Sequence, residues 1–251
     1  MDDGQRRWRR PRLGTLDSVR EFWEAEACGE RYTDAQAVDY AAVDATRYRL
    51  EPQIEAFARF DQPFAGLGLE IGTGMGSDFA RNVARGGRWV GLDLTARSLE
   101  HVRARIGPGA PLLRSDAQSL PIGADTFDLV YSWGVMLHCP DPGRAINEAH
   151  RVLKQGGEAL VMLYHSPSWV ALAAWLRWGW HRGLTPSQAV TYMESPGTHA
   201  FSARAATRLF SRFRQVSVAP VRTSWDTRWW GPIGRIGGDA MGWFLLCRAT
   251  K

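Results

Sequence analysis

The stretch Leu67-Gly68-Leu69-Glu70-Ile71-Gly72-Thr73-Gly74-Met75-Gly76-Ser77-Asp78 constrains this chain more than any other. An apolar segment passes through three alternating glycines into a helix-like continuation over residues 79–85, the pattern of a buried parallel strand turning tightly into a helix. Glycine reaches backbone dihedrals closed to other residues and lets a ligand lie directly against the main chain. The helix that follows presents unpaired amides to an electronegative atom. Taken alone, such a turn is common to nucleotide, flavin and methyl-donor enzymes.

Two further acids narrow the choice. Trp89-Val90-Gly91-Leu92-Asp93-Leu94-Thr95 reads as a second apolar strand ending in an aspartate, where a carboxylate accepts bonds from ribose hydroxyls. Leu113-Arg114-Ser115-Asp116-Ala117-Gln118 again places an acid at a strand end, positioned to accept from an adenine amino group while the Ala117 backbone serves a ring nitrogen. A fourth strand follows over residues 127–133. Arg151-Val152-Leu153-Lys154-Gln155-Gly156-Gly157 then reads as a helix end with a glycine stop before a fifth strand.

This ordered set of strand ends, over residues 64–165, resembles the class I S-adenosylmethionine-dependent methyltransferases, and among them the type 11-like small-molecule family. The resemblance implies an α/β, Rossmann-like fold: a mostly parallel seven-stranded sheet with helices on both faces, its last two strands an antiparallel hairpin at one edge. It also implies S-adenosyl-L-methionine as donor and S-adenosyl-L-homocysteine as product, a transferase of class EC 2.1.1.-. Glu70 then orients the loop and the donor's methionine end. Gly72, Thr73 and Gly74 contact that moiety through the backbone, Asp93 holds the ribose, and Leu94 packs on the adenine. Asp116 and Ala117 read the adenine edge, and Ser132, Trp133 and Gly134 run past the sulfonium. Residue by residue a plainer reading exists: ordinary buried strands, Asp116 in a turn, Asp93 capping a helix, Trp133 as core. A nicotinamide dehydrogenase shares the sheet, but its fingerprint wants glycine where Ser77 stands.

The length of 251 residues allows one domain with a cap. The formal charge is +5, carried almost wholly by arginine, since Lys154 and Lys251 are the only lysines. Positive charge is dense only in Arg6-Arg7-Trp8-Arg9-Arg10-Pro11-Arg12, so residues 1–13 are expected to form a mobile basic arm. Three scattered cysteines, Cys28, Cys139 and Cys247, make neither a disulfide framework nor a zinc site. With no secretory pattern and no apolar run of membrane-spanning length, the expectation is a cytoplasmic protein without a membrane partner.

Residues 14–62 read as an N-terminal helical cap, with helical stretches from Val19, from Thr33-Asp34 and from Ile54. Glu21-Phe22-Trp23, Ala27-Cys28-Gly29 and Arg47-Tyr48-Arg49-Leu50-Glu51-Pro52 are similar to caps of bacterial small-molecule methyltransferases, which fold over the donor site. Trp23 is expected to pack helix on sheet, while Tyr32, Tyr40, Arg47 and Tyr48 suit a cleft wall. The catalytic core is expected over residues 63–251, with an insertion at 166–199. That insertion carries Trp169, Trp175, Trp178 and Trp180 on a helix, ended by Gly183-Leu184-Thr185-Pro186, and a short helical piece through Tyr192. It reads as a lid over an apolar or aromatic acceptor, with Tyr164, Trp169 and Tyr192 lining the pocket. Residues 225–238 are too irregular to assign.

Methyl transfer needs little covalent help beyond positioning. A hydroxyl or amine acceptor must lose a proton, and His138 and His165 are the candidate bases. Asp141-Pro142 reads as a helix cap. No aspartate pair stands at the fourth strand's end, so no metal is expected. The expected activity is methylation at O, N or C of a small acceptor in specialised natural-product metabolism. The rivals are RNA or peptide methylation through the arginine arm, although no nucleic-acid-binding module is present, and donor binding without catalysis. The acceptor and the oligomeric state do not follow from sequence.

Overall fold

The computed structural model describes residues 14–33 and 38–251, so the arginine-rich arm and Asp34 lie outside the described residues. α1 (Leu16–Ala25) opens at a capping box in which Thr15 accepts from the Ser18 amide and the Ser18 side chain answers the Thr15 backbone. The second helix was expected from Thr33-Asp34. α2 (Tyr40–Leu50) starts later, because Asp39 caps it by accepting from the amides of Ala41 and Ala42, both at 3.0 Å. α3 (Gln53–Ala58) ends at Arg59 in the left-handed conformation.

The core then alternates: β1 (Leu67–Ile71), α4 (Ser77–Ala84), β2 (Arg88–Asp93), α5 (Ala96–Ile106), β3 (Leu112–Arg114), β4 (Phe127–Trp133), α6 (Pro142–Val152) and β5 (Leu153–His165). α6 is capped by Asp141, whose carboxylate accepts from the Arg144 amide at 3.0 Å, with Pro142 in its first turn. Gly156 and Gly157 do not stop that helix. They lie inside β5, where the pairing with β4 shifts register between Phe127 and Leu129.

Residues 166–199 form α7 (Trp169–Ala174), which widens into a π-helical turn over Trp175–Gly179, and α8 (Pro186–Ala189), opened by a capping box at Thr185. β6 (Ala200–Phe201), α9 (Ala203–Leu209) and β7 (Gln215–Val221) follow. The segment read as irregular is α10 (Ser224–Trp230), capped reciprocally by Thr223 and Asp226 and continued by two 3-10 turns. β8 (Phe244–Thr250) closes the chain.

The sheet runs β3-β2-β1-β4-β5-β8-β7, with β6 paired to β5. The first five strands are parallel, and β8 is antiparallel to both of its neighbours. The eighth strand beyond the expected seven has a simple origin. β5 outruns β4, whose last pair is Trp133 with Met162, and β6 pairs with Tyr164 and His165 where β4 has ended. No described helix is long and apolar enough to cross a membrane. Strand order reverses between β1 and β4, and in such sheets a crevice opens outside the carboxyl ends of those two strands.

Candidate active site

A cavity of about 390 Å³ occupies that crevice, lined by the loops after β1, β2, β3 and β4, the end of β5, and side chains of the N-terminal helices. The glycines of the first loop take the conformations for which they were singled out, with φ of 82°, 50° and 80° at Gly72, Gly74 and Gly76. A Cβ on Gly72 would collide with Val135, so the loops after β1 and β4 touch because that side chain is missing. At Gly74 a Cβ would meet nothing nearer than the Cys28 carbonyl oxygen at 3.9 Å, which leaves the main chain bare toward the cavity.

Asp93 closes β2 and locks this loop. One carboxylate oxygen accepts from the Gly74 amide at 3.0 Å, and the other accepts from the Thr95 amide at 3.0 Å and its hydroxyl at 2.9 Å. Burial pushes its pKa up, and those amides and the hydroxyl offset part of the shift. Asp93 therefore holds a loop while facing the cavity, and Thr95, not Asp93, caps α5. Leu94, Asp116 and Ala117 continue the same wall, with Asp116 oriented by the Gln118 amide at 2.9 Å.

The residues present fit the donor that the resemblance implies. Beside the bare main chain at Gly74, the Thr73 hydroxyl is buried without a partner, and two strand-end carboxylates face the same space. Among the described residues, no group of three or more His, Cys, Asp or Glu is arranged to hold a metal ion.

Sequence reasoning passed over Asp78, in the first turn of α4. Its carboxylate accepts four bonds: from Arg47 Nε at 3.0 Å and Nη2 at 2.6 Å, from Tyr48 at 3.0 Å and from Tyr131 at 2.8 Å. Burial pushes its pKa up, but Arg47 and the two hydroxyls outweigh burial and hold it low. Glu70, buried beside it and accepting from Asn82 at 2.6 Å, is driven well up by burial and then by the Asp78 charge. The one local signal for Asp78, an acid in a helix's first turn, reads as a favourable dipole contact and nothing more.

Away from the glycine loop the walls are aromatic. Tyr164 stacks on Trp243, with centroids 4.2 Å apart, and donates its hydroxyl to Glu194 at 2.7 Å. His138 presents Nε2 to the same carboxylate at 3.4 Å, and its Nδ1 stands 2.9 Å from the Ser195 hydroxyl and 3.0 Å from that of Thr198. Burial, then the nearby His199, lowers the His138 pKa to about 3, so its ring is neutral. Glu51 accepts from the Trp133 indole at 2.8 Å. Glu51 and Glu194 are both raised by burial.

Of the residues singled out from sequence, Glu70, Gly72, Thr73, Gly74, Asp93, Leu94, Asp116, Ala117, Trp133 and Gly134 line the cavity, as do Tyr32, Arg47, Tyr164 and His138. Trp23 is also on its wall, edge-on to His138 with centroids 5.3 Å apart. Six do not line it. Ser132 alternates to the other side of β4 and donates to the Ile71 carbonyl. His165 pairs with the Gly242 carbonyl at 2.8 Å. Tyr40 bonds His101, and Tyr48 serves Asp78. Tyr192 lies under Arg182. Trp169 packs on Trp230 and bonds the Ile236 carbonyl. The insertion reaches the cavity through Val170, Met193 and Glu194 instead, while two of its tryptophans face the 224–241 segment: Trp178 meets Trp229, and Trp230 donates to the Trp169 carbonyl.

Residues 69–161 match the family model described as a methyltransferase domain. A 2-methyl-6-phytyl-1,4-hydroquinone methyltransferase of Oryza sativa subsp. japonica is 40% identical over 82 residues, covering 32% of this chain and 25% of that relative. The chain thus spans about a quarter of the length of that protein and of a second rice relative. Among solved structures, an S-adenosylmethionine-dependent methyltransferase from Mesorhizobium loti superposes with a TM-score of 0.56 at 19% identity, covering 80% of this chain and 100% of that one. The [4+2]-cyclase SpnF superposes with a TM-score of 0.59 at 18% identity, covering 94% and 97%. At such identities the likeness is one of fold, and this fold carries more than one chemistry.

Proposed function

From the S-adenosylmethionine-dependent methyltransferase domain that residues 69–161 form, we propose that the protein transfers a methyl group to an apolar or aromatic small molecule in specialised metabolism. The observation that carries this reading is a single cavity walled at one end by the glycine loop with Asp93 and Asp116, and at the other by Tyr164, Trp243 and Glu194. Residues 72–74 and Glu70 would hold the donor's methionine end, Asp93 its ribose, and Asp116 with Ala117 its adenine. Bound there, the donor supplies a methyl group on a positively charged sulfur, so displacement leaves a neutral thioether and a proton to be removed from the acceptor.

His138 and His165 were the expected bases. His165 does not reach the cavity, and His138 is too weakly basic to hold a proton near neutrality. The proton acceptor in this reading is Glu194, whose raised pKa brings it closer to the working range of a general base. Tyr164 and His138 orient it. Segment 166–199 contributes Glu194 and the Ser195 and Thr198 hydroxyls beside His138, so in this reading it serves acceptor turnover as a lid-like insertion on the 63–251 core.

Incubation with donor labelled on its methyl group and a fractionated extract of the source organism tests the proposal, with Asp93→Ala as control. Label in the small organic-soluble pool supports it. Label in precipitable material would replace it with RNA or peptide methylation, which the arginines at positions 6–12 favour. Tight donor binding with no transfer would leave a donor-binding protein. A cytoplasmic location is part of the same reading.

A further inference from the structure

Acids and bases in this protein are paired with regularity. Asp44 meets Arg105 at 2.8 Å, Glu148 meets Arg151 at 2.7 Å, Asp128 meets Lys154 at 2.8 Å, and Glu30 bonds Arg97. On the cavity wall Arg47 and Asp78 keep to it, but two further acids there pair with no arginine or lysine among the described residues. Glu51 and Glu194 both line the cavity, and the hydrogen-bond donors on them are neutral. Glu51 is held by the indole of Trp133 at 2.8 Å, and the Trp225 indole helps to lower its pKa. Glu194 is held by the Tyr164 hydroxyl at 2.7 Å, with the uncharged ring of His138 at 3.4 Å.

Among the described residues, the two guanidinium groups on the cavity wall each bind another acid. Arg47 grips Asp78 through Nε and Nη2, and Arg31 bonds Glu26 at 3.1 Å. The charge of Arg47 offsets part of the cost of Glu51 and that of Arg31 part of the cost of Glu194, while the charge of Glu51 raises Glu194 further. Protein surrounds Glu194, yet 36% of its side chain is accessible, as expected of a carboxylate that opens into a cavity. A carboxylate partly withdrawn from water, its nearest guanidinium groups bound to other acids, costs free energy that neutral donors offset only in part. The rest of the wall is aromatic: Tyr32, Tyr164, Trp225 and Trp243 all border the space, and aromatic rings attract cations.

Resting on the methyltransferase reading, we infer that the acceptor is an amine with an apolar or aromatic body, bound as its ammonium ion between the carboxylates of Glu51 and Glu194 and the rings of Tyr32 and Tyr164. A hydroxyl acceptor can donate to either carboxylate but leaves the charge unmet, and an anion is repelled. An ammonium ion supplies a counter-charge in direct contact with both carboxylates, and its N–H bonds take the acceptor positions that the indole and the phenol leave open. Glu194 then takes the proton the nitrogen must lose. The lone pair so freed forms the N–C bond to the methyl carbon as the C–S bond breaks, and that bond's electron pair stays with sulfur.

The test uses the full chain and three probes of one shape: the 2-phenylethylammonium ion, 2-phenylethanol and 3-phenylpropanoate. Affinities are measured by calorimetry near neutral pH, with and without S-adenosylhomocysteine, for the wild type, Glu51→Gln and Glu194→Gln. The ammonium probe is expected to bind roughly tenfold tighter than the alcohol, with the carboxylate probe weakest. Each variant should remove most of that preference while leaving affinity for the alcohol and for S-adenosylhomocysteine unchanged. Equal affinity for ammonium and alcohol in the wild type overturns the inference. So does a loss of S-adenosylhomocysteine affinity in the variants equal to their loss for ammonium, because the carboxylates would then serve the donor. An ammonium preference without any S-adenosylhomocysteine binding overturns the methyltransferase reading and upholds the cation site.

Discussion

Arg47 and Asp78 stand 31 residues apart in the chain and meet through two hydrogen bonds, Nε to Oδ1 at 3.0 Å and Nη2 to Oδ2 at 2.6 Å. This contact ties α2 to the first turn of α4, directly behind the glycine loop. Tyr48 and Tyr131 complete the acceptor positions of the carboxylate.

Removing one partner from this cluster leaves a buried charge and two buried hydroxyls without partners. Asp78→Ala is expected to lower unfolding free energy by about 3–5 kcal/mol, measured by urea titration. Arg47→Met with Asp78→Leu together should lose much less than the sum of the single changes. Additive losses would mean that the two residues do not act as a pair.

The glycines of the loop separate steric from conformational cost. Gly72→Ala places a methyl group in Val135 at a φ of 82° and is expected to lower Tm and abolish S-adenosylhomocysteine binding together. Gly74→Ala has room, so only its φ of 50° opposes it, at about 1–2 kcal/mol. A Gly72→Ala protein as stable as the Gly74→Ala protein would show that the loops after β1 and β4 do not pack as described.

His138 gives stability a pH dependence of definite sign. Its folded pKa of about 3 lies below its ordinary 6.5, so the unfolded chain binds more protons across that window. Its contribution is fully present above 6.5 and is lost as pH falls toward 3, with a slope of up to about 1.4 kcal/mol per pH unit. Urea midpoints measured between those limits should fall less steeply in His138→Gln. An unchanged slope would show that the imidazole is protonated in the folded state.

Tryptophans of the insertion divide by environment. Trp175 donates its indole N–H to the Leu184 carbonyl at 2.8 Å, so Trp175→Ala should destabilise by roughly 1–3 kcal/mol. Trp180 is 62% exposed, and Trp180→Ala should change stability by less than about 0.5 kcal/mol. Equal losses at the two positions would contradict the packing described.

Much of this architecture was legible because local chemistry specifies it. An apolar run followed by alternating glycines leaves few options besides a strand turning into a helix, and Asp141 followed by proline caps a helix wherever it occurs. The second helix was misplaced because two cap signals compete over residues 33–39, and Asp39, with two amides in reach, prevails over Thr33. Residues 225–238 looked irregular because the cap that starts α10, Thr223 with Asp226, straddles the edge of that stretch.

By itself the sequence determined the alternation of strands and helices from β1 to β5, the turn after β1 and the acids at the ends of β2 and β3, since each depends on residues a few positions apart. Only the tertiary structure decided that Arg47 serves Asp78, that Glu51 and Glu194 face one cavity with neutral donors, and that Trp169 and Trp178 turn toward α10. Those pairings join residues 31 to more than 100 positions apart. They are set by which faces the sheet and its crossovers bring together, and no local periodicity encodes that.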